Sequence, residues 1–218
     1  MKAKYRFVFF DVDSTLVTIE GIDVLAGGDP RVAALTAAAM GGEMPIEEVY
    51  ARRLEMIRPS RTAIQALAAH YLASLTPGAE ATIDALRTSG AHVHLVTAGI
   101  AQAVAPLAAH LGIPPRAVHS VELRFDDSGN YEDFERGSFL TRAGGKELIV
   151  RDVRARSHGK AAFVGDGASD LEAKAAVELF VGFGGVHARD NVRQHADVWI
   201  EERDLRAVLP YLIERQEA

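Results

Sequence analysis

The chain has 218 residues, 48% of them hydrophobic and 25% charged, which suits one large domain, or a domain with an insert, around a sizeable core. A formal net charge of −6 weighs against a nucleic-acid or anionic-membrane partner, which would want a basic face. The absence of cysteine excludes disulfides, thiolate catalysis and cysteine-based zinc sites.

Lys2, Lys4 and Arg6 precede an apolar run of four residues, Phe7 to Phe10, which stops at Asp11. A signal peptide needs an apolar region of roughly 7–15 residues. A membrane span needs ~18 apolar residues, and no stretch approaches that. A soluble, cytoplasmic protein is expected; composition leaves its oligomeric state open. Residues 6–10 are rich in β-favouring types and predict a strand buried on both faces, as in a parallel sheet. Strand side chains alternate, so Asp11 and Asp13 should emerge on one side with Val12 facing away. Two carboxylates that close do not both ionise cheaply, so a cation or a shared proton is expected.

Helical patterning follows. Pro30 opens a helix through Val32, Leu35 and Ala39 that Gly41-Gly42 stops. Pro45 opens a second, with Val49, Leu54 and Ile57 near helical spacing, ended by Pro59. Ser60 caps a third, with Ile64, Leu67 and Tyr71 or Leu72 on one face. Residues 15–75 therefore read as a small helical cap inserted after the first strand. Residues 1–14 and 76–218 read as the α/β core.

Thr76 is the expected N-cap of the next helix, with Pro77 in its first turn. A strand over residues 91–96 finishes on Thr97. His92 and His94 share one of its faces and could bind a metal. With no carboxylate or third histidine close by, they read as half-buried strand positions. Pro106 should kink the following helix. Residues 121–134 predict a hairpin around Asp126-Asp127-Ser128-Gly129-Asn130. Gly144-Gly145-Lys146 opens a helix whose basic cluster, Arg151, Arg154, Arg156 and Lys160, reads as a solvated end. A buried strand over 161–164 runs into Gly165-Asp166-Gly167-Ala168-Ser169-Asp170. A helix over 171–177, strands over 179–181 and 198–200, and a final helix complete the alternation. The fold class is α/β, a Rossmann-like parallel sheet covered by helices on both faces.

Asp11 with Asp13, Thr97, Lys146, and Asp166 with Asp170 all fall at strand ends or first helical turns. Four carboxylates carry about −4, and a phosphate monoester adds roughly −2. Lys146 returns only +1, so a hard cation is required, and carboxylate and carbonyl oxygens suit Mg²⁺. Thr97 can donate to a phosphoryl oxygen, and the N–H groups of Ala98 and Gly99 are expected to start an anion-favouring helix. One carboxylate can attack to give an aspartyl-phosphate, and another two residues on can supply and recover a proton.

Phe-Asp11-Val-Asp13-Ser-Thr-Leu, Val-Thr97, Gly-Gly-Lys146 and Gly-Asp166-Gly-Ala-Ser169-Asp170 resemble, in order, the four motifs of the haloacid dehalogenase superfamily. Glu20-Gly21-Ile22-Asp23, Met40-Gly41-Gly42, Arg53-Leu54, Leu75-Thr76-Pro77-Gly78 and Val181-Gly182-Phe183-Gly184-Gly185 are similar to the phosphoserine phosphatases within it. The resemblance implies Asp11 as nucleophile and Asp13 as acid/base. It implies Mg²⁺ on the Asp11 carboxylate, the Asp13 carbonyl and Asp166, with Asp170 in support. It places the phosphoryl group on Thr97, Gly99 and Lys146, with Ala98 and Ser169 close by. Glu20 would face a substrate ammonium and Arg53 a carboxylate, with Met40 and Gly41 lining the pocket. Ala98 stands where glycine is usual, and Ile46 where an aromatic is usual.

Two other readings stay open: a phosphatase or phosphotransferase for another small phosphomonoester, and a phospho-accepting receiver domain. A substrate panel separates the first. A stable phosphoprotein without steady phosphate release would mark the second.

Overall fold

A computed structural model describes residues 2–41 and 43–214, and the side-chain surroundings of all of these except Met40, Gly41 and Ile46. The expectations for those three side chains lie outside the described residues. Along the chain, β1 (Lys2–Ala3) and β2 (Phe7–Phe10) lead into α1 (Gly21–Leu25), α2 (Pro30–Gly41), α3 (Ile46–Ile57) and α4 (Arg61–Ala73). Alternation then begins with α5 (Ala79–Thr88), β3 (His92–Ile100), α6 (Ala101–His110) and β4 (Val118–Val121). The hairpin β5 (Leu123–Phe125) and β6 (Tyr131–Phe134) interrupts it before α7 (Gly145–Ala155), β7 (Ala161–Gly165) and α8 (Ala168–Glu172). The rest is β8 (Leu179–Phe183), α9 (Asp190–His195), β9 (Val198–Ile200), α10 (Leu209–Leu212) and β10 (Ile213–Glu214).

The run Phe7 to Phe10 is buried because it lies in the middle of a six-stranded sheet of order β4-β3-β2-β7-β8-β9. Every pairing in that sheet is parallel. Phe9 stacks on Phe163 at 6.3 Å and Phe163 on Phe180 at 6.1 Å, an aromatic row across three neighbouring strands. Such neighbouring pairs are where a sheet gains much of its stability.

The helical block is tied at its neck. Val17 bridges Leu75, Thr18 N–H donates to Ser74 C=O at 2.8 Å, and Thr76 N–H donates to Leu16 C=O at 2.9 Å. Ser60 caps α4 as expected, its side chain accepting from Ala63 N–H. Helix α3 leaves helical geometry at Arg58 (φ 44), one residue before Pro59, because proline crowds the residue ahead of it.

Several boundaries differ from the sequence reading. Gly78, not Thr76, is the N-cap of α5, because residues 76–79 first make a turn through Ala79 N–H to Thr76 C=O. Val121 ends β4 in the main sheet, so the hairpin proper begins at Leu123. Helix α8 begins at Ala168 and a 3-10 turn carries it to Ala176, since the Asp170 carboxylate accepts from the backbone N–H of Gly167 at 2.8 Å. No helix among the described residues is long and apolar enough to cross a membrane.

At the far end of β3, His94 Nδ1 lies 3.3 Å from His119 Nε2 and the two rings stack. No metal-sized group of three ligands forms around them among the described residues. Arg151, Arg154 and Arg156 are each spent on an ion pair, with Glu147, Glu178 and Asp152. Burial, with His119, His92 and Arg116 nearby, pushes His94 down to about 4. A folded-state value below the unfolded one means that stability is intact above pH ~6.5 and is lost as pH falls from there towards 4. His94→Phe should therefore lose less Tm than the parent protein across that window. Parallel Tm–pH curves would show that His94 does not carry the effect.

Candidate active site

Phe10 stands opposite Val164, and Asp11 N–H donates to Val164 C=O at 3.0 Å. The chain leaves β2 for β3 on one side and returns to β7 on the other. At such a switch point the carboxyl ends of an open α/β sheet form a crevice. Asp11 and Asp166 emerge there together. Asp11, Asp166, Asp170 and Lys146 are all buried. One carboxylate oxygen from each of the three aspartates lies within 4.8 Å of the others. Lys146 Nζ sits 2.9 Å from Asp11 Oδ1 and 2.5 Å from Asp170 Oδ1. Thr15 Oγ1 donates to Asp166 Oδ1 at 3.1 Å. Helix α7 delivers Lys146 because Gly145 packs directly on the preceding turn. A Cβ there would lie 1.9 Å from the Phe139 carbonyl oxygen.

Burial, with Asp11 beside it, pushes Asp170 up to about 7, although Lys146 pulls the other way. Burial also raises Asp166 well above its usual range, against the pull of Arg189. Burial alone would lower the Lys146 ammonium, but Asp11 and Asp170 more than reverse this and hold it above its ordinary value. Lys146 is a fixed cation. Asp11 Oδ1 is buried and has the Lys146 ammonium, 2.9 Å away, as its partner. Three buried carboxylates that converge within 4.8 Å and outnumber their cations Lys146 and Arg189 fit a hard divalent cation with oxygen ligands.

Asp13 faces a cavity of about 70 Å³ shared by sheet edge and helical block, whose lining includes Asp11, Glu20, Arg53, Thr97, Ala98, Gly99, Lys146 and Ser169. Residues far apart in the chain are thus brought together around one cavity. Val12 lies in the core, as the alternation required. Burial, with Glu20 and Asp11 near, pushes Asp13 up to about 8.

The helix expected to begin at Ala98 does not. Strand β3 runs on to Ile100, with a register shift after Val96, and α6 starts at Ala101. Gly99 N–H is already satisfied by Thr97 Oγ1 at 2.9 Å. That bond leaves the Thr97 hydroxyl hydrogen available for an anion. Ala98 is not strained: among the described residues, the non-glycine positions with positive φ are Ser14 and Arg58. Its carbonyl accepts from Tyr50 at 3.0 Å, which fixes α3 over this strand end.

Glu20 Oε1 accepts from Ser14 at 2.6 Å, and Arg189 Nη2 lies 3.4 Å away. Burial raises the Glu20 carboxyl, opposed by the Ser14 hydrogen bond and Arg189. Arg53 is 7% exposed. Its Nη1 donates to Thr36 at 3.3 Å and its Nε has no partner. Among the described residues, no carboxylate lies within ion-pair distance of it. Burial lowers its pKa, with Tyr50 and Glu20 opposing. A buried guanidinium without a counter-ion is costly unless an anion completes it.

Two site residues escaped the sequence reading. Arg189 pairs with both Asp166 and Glu20, yet nothing in its spacing sets it apart from other arginines. Tyr71 was legible only as a core position of α4, and its hydroxyl reaches Asp13 at 2.8 Å.

A parallel α/β sheet with a cluster of buried carboxylates and a fixed lysine at its switch point is an arrangement found in a class of hydrolases. A family model described as haloacid dehalogenase-like hydrolase matches residues 8–174, and the chain belongs to that family. Within it, the phosphoserine phosphatase of Mus musculus is 36% identical over 199 residues, covering 89% of this chain and 88% of the relative. A substrate-bound phosphoserine phosphatase structure superposes with TM-score 0.86 at 28% identity, covering 96% of this chain and 99% of that one. A phospho-aspartyl intermediate analogue of phosphoserine phosphatase gives TM-score 0.83 at 29% identity, covering 96% and 100%.

Proposed function

We propose that this chain hydrolyses O-phospho-L-serine to L-serine and phosphate through an aspartyl-phosphate on Asp11. The observation that carries the substrate is the pairing, in one cavity, of an acid and an uncompensated cation, Glu20 and Arg53. An amino-acid zwitterion complements both. In this reading Asp11 attacks phosphorus while Lys146 and the Thr97 hydroxyl take up phosphoryl charge. Asp13 protonates the departing serine oxygen, then removes a proton from the attacking water. Ser169 and Gly99 border the phosphoryl group. Residues 15–75 act as the cap that selects the substrate and excludes water, hinged at the neck between Val17 and Leu75. The cysteine-free sequence supports a cytoplasmic setting.

Mg²⁺ is the cation we assign, with the Asp11 and Asp166 carboxylates and the Asp13 carbonyl to hold it and Asp170 in support. Bound there, it would neutralise phosphoryl charge next to the nucleophile. Phosphate release should therefore vanish in EDTA and return with added Mg²⁺. Full activity in EDTA would rule the metal out. A panel of phosphomonoesters tests the substrate itself. Phosphoserine should stand far above glycerol phosphate and aryl phosphates. A different preferred ester, or transfer to an added alcohol instead of water, would move the function elsewhere in the family.

A further inference from the structure

We infer that Tyr71 is a positioning residue that decides which oxygen of Asp13 carries the transferable proton. The inference rests on Asp13 being the acid/base, as proposed above. Tyr71 sits on α4, is 1% exposed, and donates its hydroxyl to Asp13 Oδ1 at 2.8 Å. Gly21 N–H donates to the same oxygen at 2.9 Å. Two donors on Oδ1 make it the carbonyl oxygen of the protonated acid, because a hydroxyl oxygen is the poorer acceptor. The proton is thereby assigned to Oδ2.

Oδ2 faces the reacting side. A Cβ built on Gly99 would lie 3.3 Å from Asp13 Oδ2 and 3.2 Å from Thr97 Oγ1, so both atoms border the space beside Gly99. As the phosphorus–oxygen bond breaks and its electron pair stays on the serine oxygen, the Oδ2 proton passes to that oxygen. Asp13 is left as a carboxylate that Tyr71 and Gly21 N–H still stabilise. The same two bonds therefore serve the acid and its conjugate base.

The position of Tyr71 is also built in from the other side. A Cβ on Gly21 would lie 2.1 Å from the Tyr71 hydroxyl oxygen, so no larger residue fits at 21 while that hydrogen bond stands. Gly21 supplies one donor and makes room for the other. Since Tyr71 belongs to the helical block and Asp13 to the end of the core strand, the acid is set only when that block is seated.

The test is leaving-group dependence, measured as the rate of enzyme phosphorylation by rapid quench. Serine needs a proton to depart, whereas p-nitrophenolate leaves without one. Tyr71→Phe keeps the ring and removes the donor. Phosphorylation by phosphoserine should slow by about 10- to 100-fold, the range for a hydrogen bond to a charged group, with KM nearly unchanged. The p-nitrophenolate burst should change by less than about twofold. Gly21→Ala should give the same selective loss by displacing the hydroxyl, and adding Tyr71→Phe to it should cost nothing more. Equal loss with both substrates, or loss with neither, overturns the role of Tyr71. Asp13→Asn measured alongside keeps the two ideas apart. If it shows the leaving-group dependence and Tyr71→Phe does not, only this inference fails. If Asp13→Asn shows none, the acid/base reading fails first.

Discussion

Asp11→Asn should reduce phosphate release to background, a loss on the order of 10⁴–10⁶-fold, as when other covalent nucleophiles are removed. The amide is isosteric, so the loss would not come from a cavity or a clash. Nor should it come from unfolding, since Asp11 is one of three carboxylates clustered within 4.8 Å, and removing one charge relieves their repulsion. Lys146 keeps its other partner, Asp170, at 2.5 Å. Tm in metal-free buffer should therefore hold or rise while activity disappears, the pattern expected when a strained functional group is neutralised. A fluoroberyllate adduct, or trapped phosphate, should map to Asp11 and be absent from Asp11→Asn. Labelling at Asp13 or Asp166 instead would reassign the nucleophile.

The acidic strand ends were legible in the sequence because they follow from local rules. Phe7 to Phe10 is a short apolar run of β-favouring residues, which reads as a buried strand, and the residues after such a strand in a parallel sheet fall at its ligand-binding edge. Asp166 after Ala161–Val164 follows the same logic. Lys146 was legible through the glycines ahead of it, which mark a helix start. What stayed hidden depended on tertiary partners. Ala98 and Gly99 extend β3 instead of opening α6 because Thr97 Oγ1 accepts the Gly99 N–H, a competition that residue types alone do not decide. Arg189 reaches Glu20 across 169 positions of sequence, and Tyr71 reaches Asp13 across 58. In both cases an ordinary surface or core residue becomes part of the site only because two elements dock.

Arg53→Ala should lower kcat/KM for phosphoserine by ~30-fold to several thousand-fold. Loss of one partner from a desolvated charge pair costs about 2–5 kcal/mol, at roughly 1.4 kcal/mol per factor of ten. The structure adds a reason to expect the upper part of that range. Arg53 is buried, stacked near the Tyr50 ring, held by Thr36 through Nη1, and left with an unpartnered Nε. It is pre-positioned for an anion that none of the described residues supplies. Arg53→Lys should recover only part of the loss, because an ammonium does not grip a carboxylate in a bidentate pair. An aryl phosphate carries no carboxylate, so its slower hydrolysis should barely change. Relief of an uncompensated buried charge offsets the lost Thr36 hydrogen bond and Tyr50 contact, so Tm should move little, which separates substrate recognition from damage to the fold. Equal losses with both substrates would make Arg53 a structural residue. No loss with either would place the carboxylate-binding group, and with it the substrate, elsewhere.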